Sequence, residues 1–242
     1  MDVAGWLDAL ERDSAAVLDV ARTTPLEVPA PSCPGWSLGD VVFHSGGMFD
    51  FWTAIVRDEL DDPENMDRPD KPADAQLVTW VEATMEEALR VLRTTDPATP
   101  CWSWSHQHNV AFVIRRVAQE MGVHRWDAEL AAGTPQPIEA ELASDGIDEF
   151  LVHFASWPLR ESGAGLGGTV HLHCTDVAGE WLVTQEADHL TFTREHAKGS
   201  CAIRGTASDL LLVLWRRLGL ESVEVIGDAN VAARFVSWTD LH

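Results

Sequence analysis

The strongest constraint on this chain is a change in the spacing of its apolar residues, helical in the first half and short and alternating in the second. Residues 3–22 (VAGWLDALERDSAAVLDVAR) set Trp6, Leu7, Leu10, Ala15, Val17 and Leu18 close to the helical repeat of about 3.6 residues. A loop rich in proline and small residues follows (TTPLEVPAPSCPG). Ser37 then reads as a helix N-cap, with Asp40 in the carboxylate position of a capping box. The second helix runs on through LGDVVFHSGGMFDFWTAIVRDEL, and its Gly46–Gly47 pair costs stability unless something packs closely there. The acidic stretch DDPENMDRPDKPAD separates it from a third helix over 74–94. A fourth spans 109–131 and closes at Gly133, with Pro135 just beyond. Four amphipathic helices joined by loops imply an antiparallel four-helix bundle.

After GTPQP the texture changes. One more helix, over 138–157, leads into GTVHLHCTD, GEWLVTQE, HLTFTREH and GSCAIRG, strand-like runs separated by turn residues. A helix at SDLLLVLWRRLG (208–219), capped by Ser208 or Thr206, a short SVEVIGD strand and a final helix from Asn230 complete the chain. The expected fold class is α+β: a helical bundle over residues 1–135, then a small α+β domain with an antiparallel sheet over 136–242.

Charge limits the partners. Lys and Arg number 17 against 39 Asp and Glu, a formal charge of −22 over 242 residues. Such an excess repels phosphate backbones and anionic lipid, so neither nucleic acid nor membrane is expected as a partner. Arg115–Arg116, Arg160, Arg204 and Arg216–Arg217 are scarce cations in an acidic chain, and an anionic small substrate would need some of them. No run approaches the roughly 18 apolar residues that read as a membrane span. The start MDVAGWLDALERDS lacks a basic, then apolar, signal pattern, so the expected compartment is the cytoplasm. The four cysteines (33, 101, 174, 201) match neither a zinc knuckle nor a disulfide framework. No exposed apolar stripe marks an oligomer interface, and the oligomeric state stays open.

Glu120 and His124 stand four apart on the fourth helix, hence on one face, where their donor atoms can converge on a single ion. Asp127 falls near the same stripe and could orient an imidazole. On the second helix His44 follows Asp40 within an apolar stretch. Two imidazoles and one carboxylate with open positions form a catalytic rather than a structural metal set. By itself E-x-x-x-H arises often by chance as a surface pair, and a lone His44 reads equally as a core histidine. Spacing leaves both readings open. His106 and His108 read as surface histidines. His171 and His173 share one sheet face but lack a third partner at matched spacing, and so read as structural. No G-x-S-x-G or P-loop is present.

The string P-x-C-P-G-W-S-L-G-D-V-V-F-H-S-G-G (Pro31 to Gly47) resembles the N-terminal signature of the mycothiol-dependent maleylpyruvate isomerase family, a branch of the DinB-like metalloproteins. The string R-R-V-A-Q-E-M-G-V-H-R-W-D-A-E (Arg115 to Glu129) resembles that family's second signature, and GTASDLLLVLWRRLG with VEVIGD resembles its C-terminal domain. The resemblance implies a DinB-like bundle, a sterol-carrier-like second domain, and a divalent ion, typically zinc, on His44, Glu120 and His124. It also implies an arginine from the Leu-Trp-Arg-Arg segment as catalytic partner, Arg217 with Arg216 as the alternative. The implied chemistry is thiol addition. Mycothiol, as a thiolate, adds to a cis double bond conjugated to a carbonyl, the new single bond rotates, and elimination leaves the trans isomer. An S-transferase that releases the adduct would need the same equipment. A competing reading is a non-enzymatic metal- or small-ligand-binding protein, with the apolar run Leu210–Trp215 lining a pocket.

Overall fold

Local capping chemistry starts three of the first four helices. The structure is a computed structural model that describes residues 1–60, 63, 66–155 and 165–238. Arg160, residues 156–157 and part of the acidic stretch lie outside the described residues. In α1 (Val3–Thr23) the Asp2 carboxylate accepts from the Gly5 amide. In α2 (Leu38–Arg57) Ser37 and Asp40 form the full reciprocal capping box. In α4 (Val110–Ala131) Asn109 accepts from the Phe112 amide. Helix α3 (Asp74–Thr94) starts at Ala73 without a side-chain cap. These helices belong to a compact unit, Met1–Gln136.

Within this unit α4 packs against α1 and α2, and α3 packs against the same two helices, while α1 and α2 touch each other little. Leu10, Leu38, Ile55, Leu77, Ile114 and Met121 are wholly buried between them. The Gly46–Gly47 pair is resolved by one neighbour. A Cβ on Gly46 would lie 2.3 Å from the edge of the Trp80 indole on α3, whereas one on Gly47 would meet nothing. Only the first glycine is needed for close packing.

Helix α4 is buried on nearly every side, including Arg116, Gln119, His124, Arg125, Asp127 and Glu129. Buried charge must be paired to be tolerated. Arg125 therefore bonds Glu129 (2.5 Å) and the Gln136 carbonyl (3.1 Å), and lies 3.4 Å from Asp13 of α1. The Gln136 amide returns a bond to Glu129 at 2.8 Å. This network fixes the rotation of α4 about its axis, which decides where Glu120 and His124 point.

The second unit, Pro137–His242, carries α5 (Ala140–Phe150), β1 (Val170–Cys174), β2 (Glu180–Glu186), β3 (His189–Thr193), β4 (Cys201–Gly205), α6 (Ala207–Leu214), β5 (Glu224–Gly227) and α7 (Ala229–Val236). The sheet order is β3-β2-β1-β4-β5. Three of its pairings are antiparallel as expected, but β1 and β4 run parallel, because the chain crosses from the β3 edge to the far side of β1. Val170, Leu172, Trp181, Val183, Cys201 and Ile203 form one buried face, and Trp181 bonds Asp148 of α5.

Three expectations need correction here. The helix expected over 138–157 gives way at Leu151–Ala155 to a π-helical turn. The helix expected over 208–219 is capped by Thr206 and stops at Leu214, so Arg216 and Arg217 lie in the turn beyond it. His171 and His173 do have partners. The β1–β2 register sets Glu180 opposite His173, and the crossover brings His196 to the same group. Leu210 to Leu214 are each no more than 2% exposed, spent on core packing beside α5. No described helix is long and apolar enough to cross a membrane.

The paired glycines yield opposite expectations. Gly46→Ala should destabilise by about 1–3 kcal/mol, since the Trp80 ring must move. Gly47→Ala should stabilise by up to about 1 kcal/mol through helix propensity alone. Denaturant melts of the two variants check the signs.

Candidate functional site

Position on α2 and α4 brings His44, Glu120 and His124 together. His44 Nε2 lies 3.1 Å from Glu120 Oε1, His124 Nε2 lies 4.0 Å from the same oxygen, and the imidazole centroids are 4.7 Å apart. One donor atom from each residue falls within 4.8 Å of the others. Tetrahedral bonds of 2.0–2.2 Å place ligand atoms roughly 3.4 Å apart. The three donors bracket that spacing, so small side-chain adjustments would close them on one ion.

A buried carboxylate orients one of the two imidazoles. Asp127 is fully buried and sits 3.0 Å from His124 Nδ1, so the ring donates from Nδ1 and presents Nε2 toward Glu120. Asp127, noted in the sequence as near the stripe, occupies the orienting position. Asp40 does not join the site, because its carboxylate is taken by Ser37 and by Lys71 at 2.5 Å. His44 is partly open to solvent and lies beside Trp36, ring centroids 5.2 Å apart, so the loop signature around Trp36 forms the visible wall of the site.

Glu120 carries the charge of the group. Burial opposes its ionisation, but the hydrogen bond with His44 and the proximity of Arg116, His124 and His44 outweigh that and hold its carboxyl down to about 2. Buried Arg116, one turn earlier on α4, places Nε 3.5 Å from Glu120 Oε2. Of the scarce cations, Arg116 thus backs the candidate site. Arg115 stacks over Trp6 at 5.7 Å, and Arg204 pairs with Glu224 at 3.0 Å.

In the second unit Arg216 adopts φ 57°, a left-handed conformation where a helix usually ends on glycine, and its Nε donates to the Val236 carbonyl at 3.2 Å. Arg217 donates from Nη1 to the Trp215 carbonyl at 3.1 Å. His106 and His108 are exposed, as the surface reading expects. No disulfide joins the described cysteines, and burial pushes the Cys174 thiol up to about 12, the Cys201 thiol up to about 11, and Cys101 upward as well. These thiols are poor nucleophiles at neutral pH.

A hollow of about 580 Å³ lined by Asp19, Arg22, Thr23, Ala132 and Thr134 lies elsewhere in the first unit. It gathers no converging catalytic groups, so the donor convergence, not the hollow, marks the site.

Because Glu120 is held below its ordinary 4.5, it adds stability that is complete above that pH and is lost as pH falls toward about 2. Unfolding free energies of chelator-treated protein, measured across that interval, should fall more steeply for the parent than for Glu120→Gln.

Comparison with known proteins covers both units. The family model described as the mycothiol maleylpyruvate isomerase N-terminal domain matches residues 7–129, and that described as the MDMPI C-terminal domain matches residues 141–234. Among solved structures, a crystal structure of the mycothiol-dependent maleylpyruvate isomerase aligns with TM-score 0.66 and 10% identity. A histidine-to-alanine variant of that enzyme aligns with TM-score 0.64 and 9% identity. Each alignment covers 93% of both chains, and identity this low speaks for the fold alone. Comparison with curated protein sequences gives no significant match.

Proposed function

This chain belongs to the mycothiol maleylpyruvate isomerase family, and from that premise we propose that it is a metal-dependent enzyme using a low-molecular-weight thiol, mycothiol, as nucleophile on a small electrophile. Its reaction is a cis–trans isomerisation of the maleylpyruvate type or the closely related thiol S-transfer. The observation that carries this reading is the convergence of His44, Glu120 and His124 with Asp127 behind one imidazole. The raised pKa values of Cys101, Cys174 and Cys201 fit a sulfur nucleophile supplied from solution. The similar solved structures are of an enzyme named for mycothiol.

The two imidazoles and the carboxylate suit zinc, and a zinc ion bound there would favour the ionised form of an incoming thiol. The protein's part is arrangement. Asp127 holds His124 in one tautomer, Arg116 and His44 keep Glu120 ionised, and Trp36 offers an apolar wall beside His44. The thiolate sulfur forms a bond to one alkene carbon while the π electrons move onto the conjugated carbonyl as an enolate. Rotation about the resulting single bond and return of the electron pair re-form the alkene in trans geometry and expel the thiolate. Protonation of the enolate instead leaves the S-adduct, the transferase outcome. Arg217, with Arg216 as the alternative, is assigned to the substrate carboxylate or enolate through paired hydrogen bonds. The left-handed Arg216 supports a role for this turn, since an arginine there forgoes the ease of glycine. The reading places the protein in a reducing compartment, the cytoplasm, in keeping with cysteines that form no disulfide.

Thiol stoichiometry separates the reactions. Protein purified without chelator, given mycothiol and maleylpyruvate or another small electrophile, should recover the thiol if it isomerises and consume one thiol per product if it transfers. Metal bound without any thiol-dependent turnover would overturn the enzymatic reading in favour of a binding protein. His124→Ala should lose both metal and turnover.

Asp127→Asn should weaken metal binding by roughly 10–100-fold, because the imidazole loses its anionic partner. Competition titration against a chromophoric chelator measures it. Arg217→Ala should lower turnover with metal content unchanged, and Arg216→Ala does so instead if the assignment is shifted by one.

A further inference from the structure

Alternation along a β-strand sends His171 and His173 to the same face of β1, opposite the apolar face formed by Val170 and Leu172. The antiparallel register sets Glu180 of β2 directly across from His173. His196 arrives from the crossover, residues 194–200, which leaves β3 at one edge and passes β2 and β1 to reach β4. Three separate stretches of chain thus deliver three imidazoles and one carboxylate to one place.

Their distances are those of a closed cluster. His196 Nδ1 is 2.6 Å and His171 Nε2 is 3.3 Å from Glu180 Oε2, and His173 Nδ1 is 2.9 Å from Glu180 Oε1. One donor atom from each of the four residues lies within 4.8 Å of all the others. The contact of His173 Nδ1 is close but poorly aligned, so this buried nitrogen has no hydrogen-bond partner. One carboxylate charge cannot neutralise three protonated imidazoles, and its two oxygens leave His173 Nδ1 without an aligned contact. A divalent cation resolves both conflicts by taking a lone pair from each ring. An N₃O set of this kind suits zinc, nickel or copper rather than calcium or magnesium.

We propose that His171, His173, Glu180 and His196 form a second divalent-cation site, separate from the bundle residues, that ties the β3–β4 crossover to the face of the sheet. His196 is mostly exposed, its side chain 78% accessible, so it closes the site last and leaves one side open to water. The tie joins a loop to the two strands beneath it, so cation binding stabilises the folded second unit.

Zinc titration of the chelator-treated full chain, read by calorimetry, tests this. Two equivalents are expected for the parent, one for His196→Ala, one for Glu180→Gln and one for His44→Ala. Zinc should also raise the melting temperature of His44→Ala, and not that of His44→Ala/His196→Ala. Circular dichroism of each variant establishes that it is folded, and exposed His196 is the substitution least able to disturb the core. Unchanged stoichiometry in both folded His196→Ala and folded Glu180→Gln overturns the site. If the bundle residues bind no ion, the parent takes one equivalent, which His44→Ala keeps and His196→Ala loses. That outcome upholds this site while removing the other.

Discussion

A helix buried on almost every side while carrying Arg116, His124, Arg125, Asp127 and Glu129 is stable only if each charge meets a partner. That requirement organises the first unit. Arg125 is held by Glu129, the Gln136 carbonyl and the nearby Asp13, so α4 is fixed against α1 and the end of the bundle. With its rotation fixed, the same helix turns Glu120 and His124 toward α2, where His44 waits one hydrogen bond away. The capping box at Ser37 and the close contact of Gly46 with Trp80 fix α2 in turn.

Two carboxylates of α4 face the same histidine yet have different tasks, and burial distinguishes them. Asp127 is wholly enclosed and spends its charge on His124 Nδ1. Glu120 is partly accessible and meets His44 and Arg116 as well as His124, so it stays ionised and available to a further cation. The acidity of the chain as a whole plays no part in this. What matters is the hydrogen bond with His44 and the nearby Arg116 guanidinium around a single oxygen pair.

The second unit obeys sheet logic instead. One face is apolar and sealed, and the other gathers histidines because alternation forces every second residue of β1 outward. The turn that ends α6 is shaped by Arg216 in a left-handed conformation, with the Arg217 and Leu218 amides both bonding the Leu212 carbonyl. Neither the sharp stop at Leu214 nor the parallel pairing of β1 with β4 follows from apolar spacing. Leu-Trp-Arg-Arg continues a helical pattern without a break, and strands of equal character pair in either sense.

Much of the site was visible in the order of residues. Helical periods, the Ser37 cap, the one-face spacing of Glu120 with His124, and the family signatures around His44 are properties of short stretches, written in covalent sequence and in the period of 3.6 residues. They named the three candidate donors but not their meeting, and they left Asp127 as one of several possible neighbours. Through-space choices belong to packing alone. The rotation of α4 set by Arg125, the β1–β2 register that puts Glu180 opposite His173, and the crossover that delivers His196 join residues far apart along the chain. Periodicity assigns a side chain to a face, and only the folded arrangement decides what stands across from it.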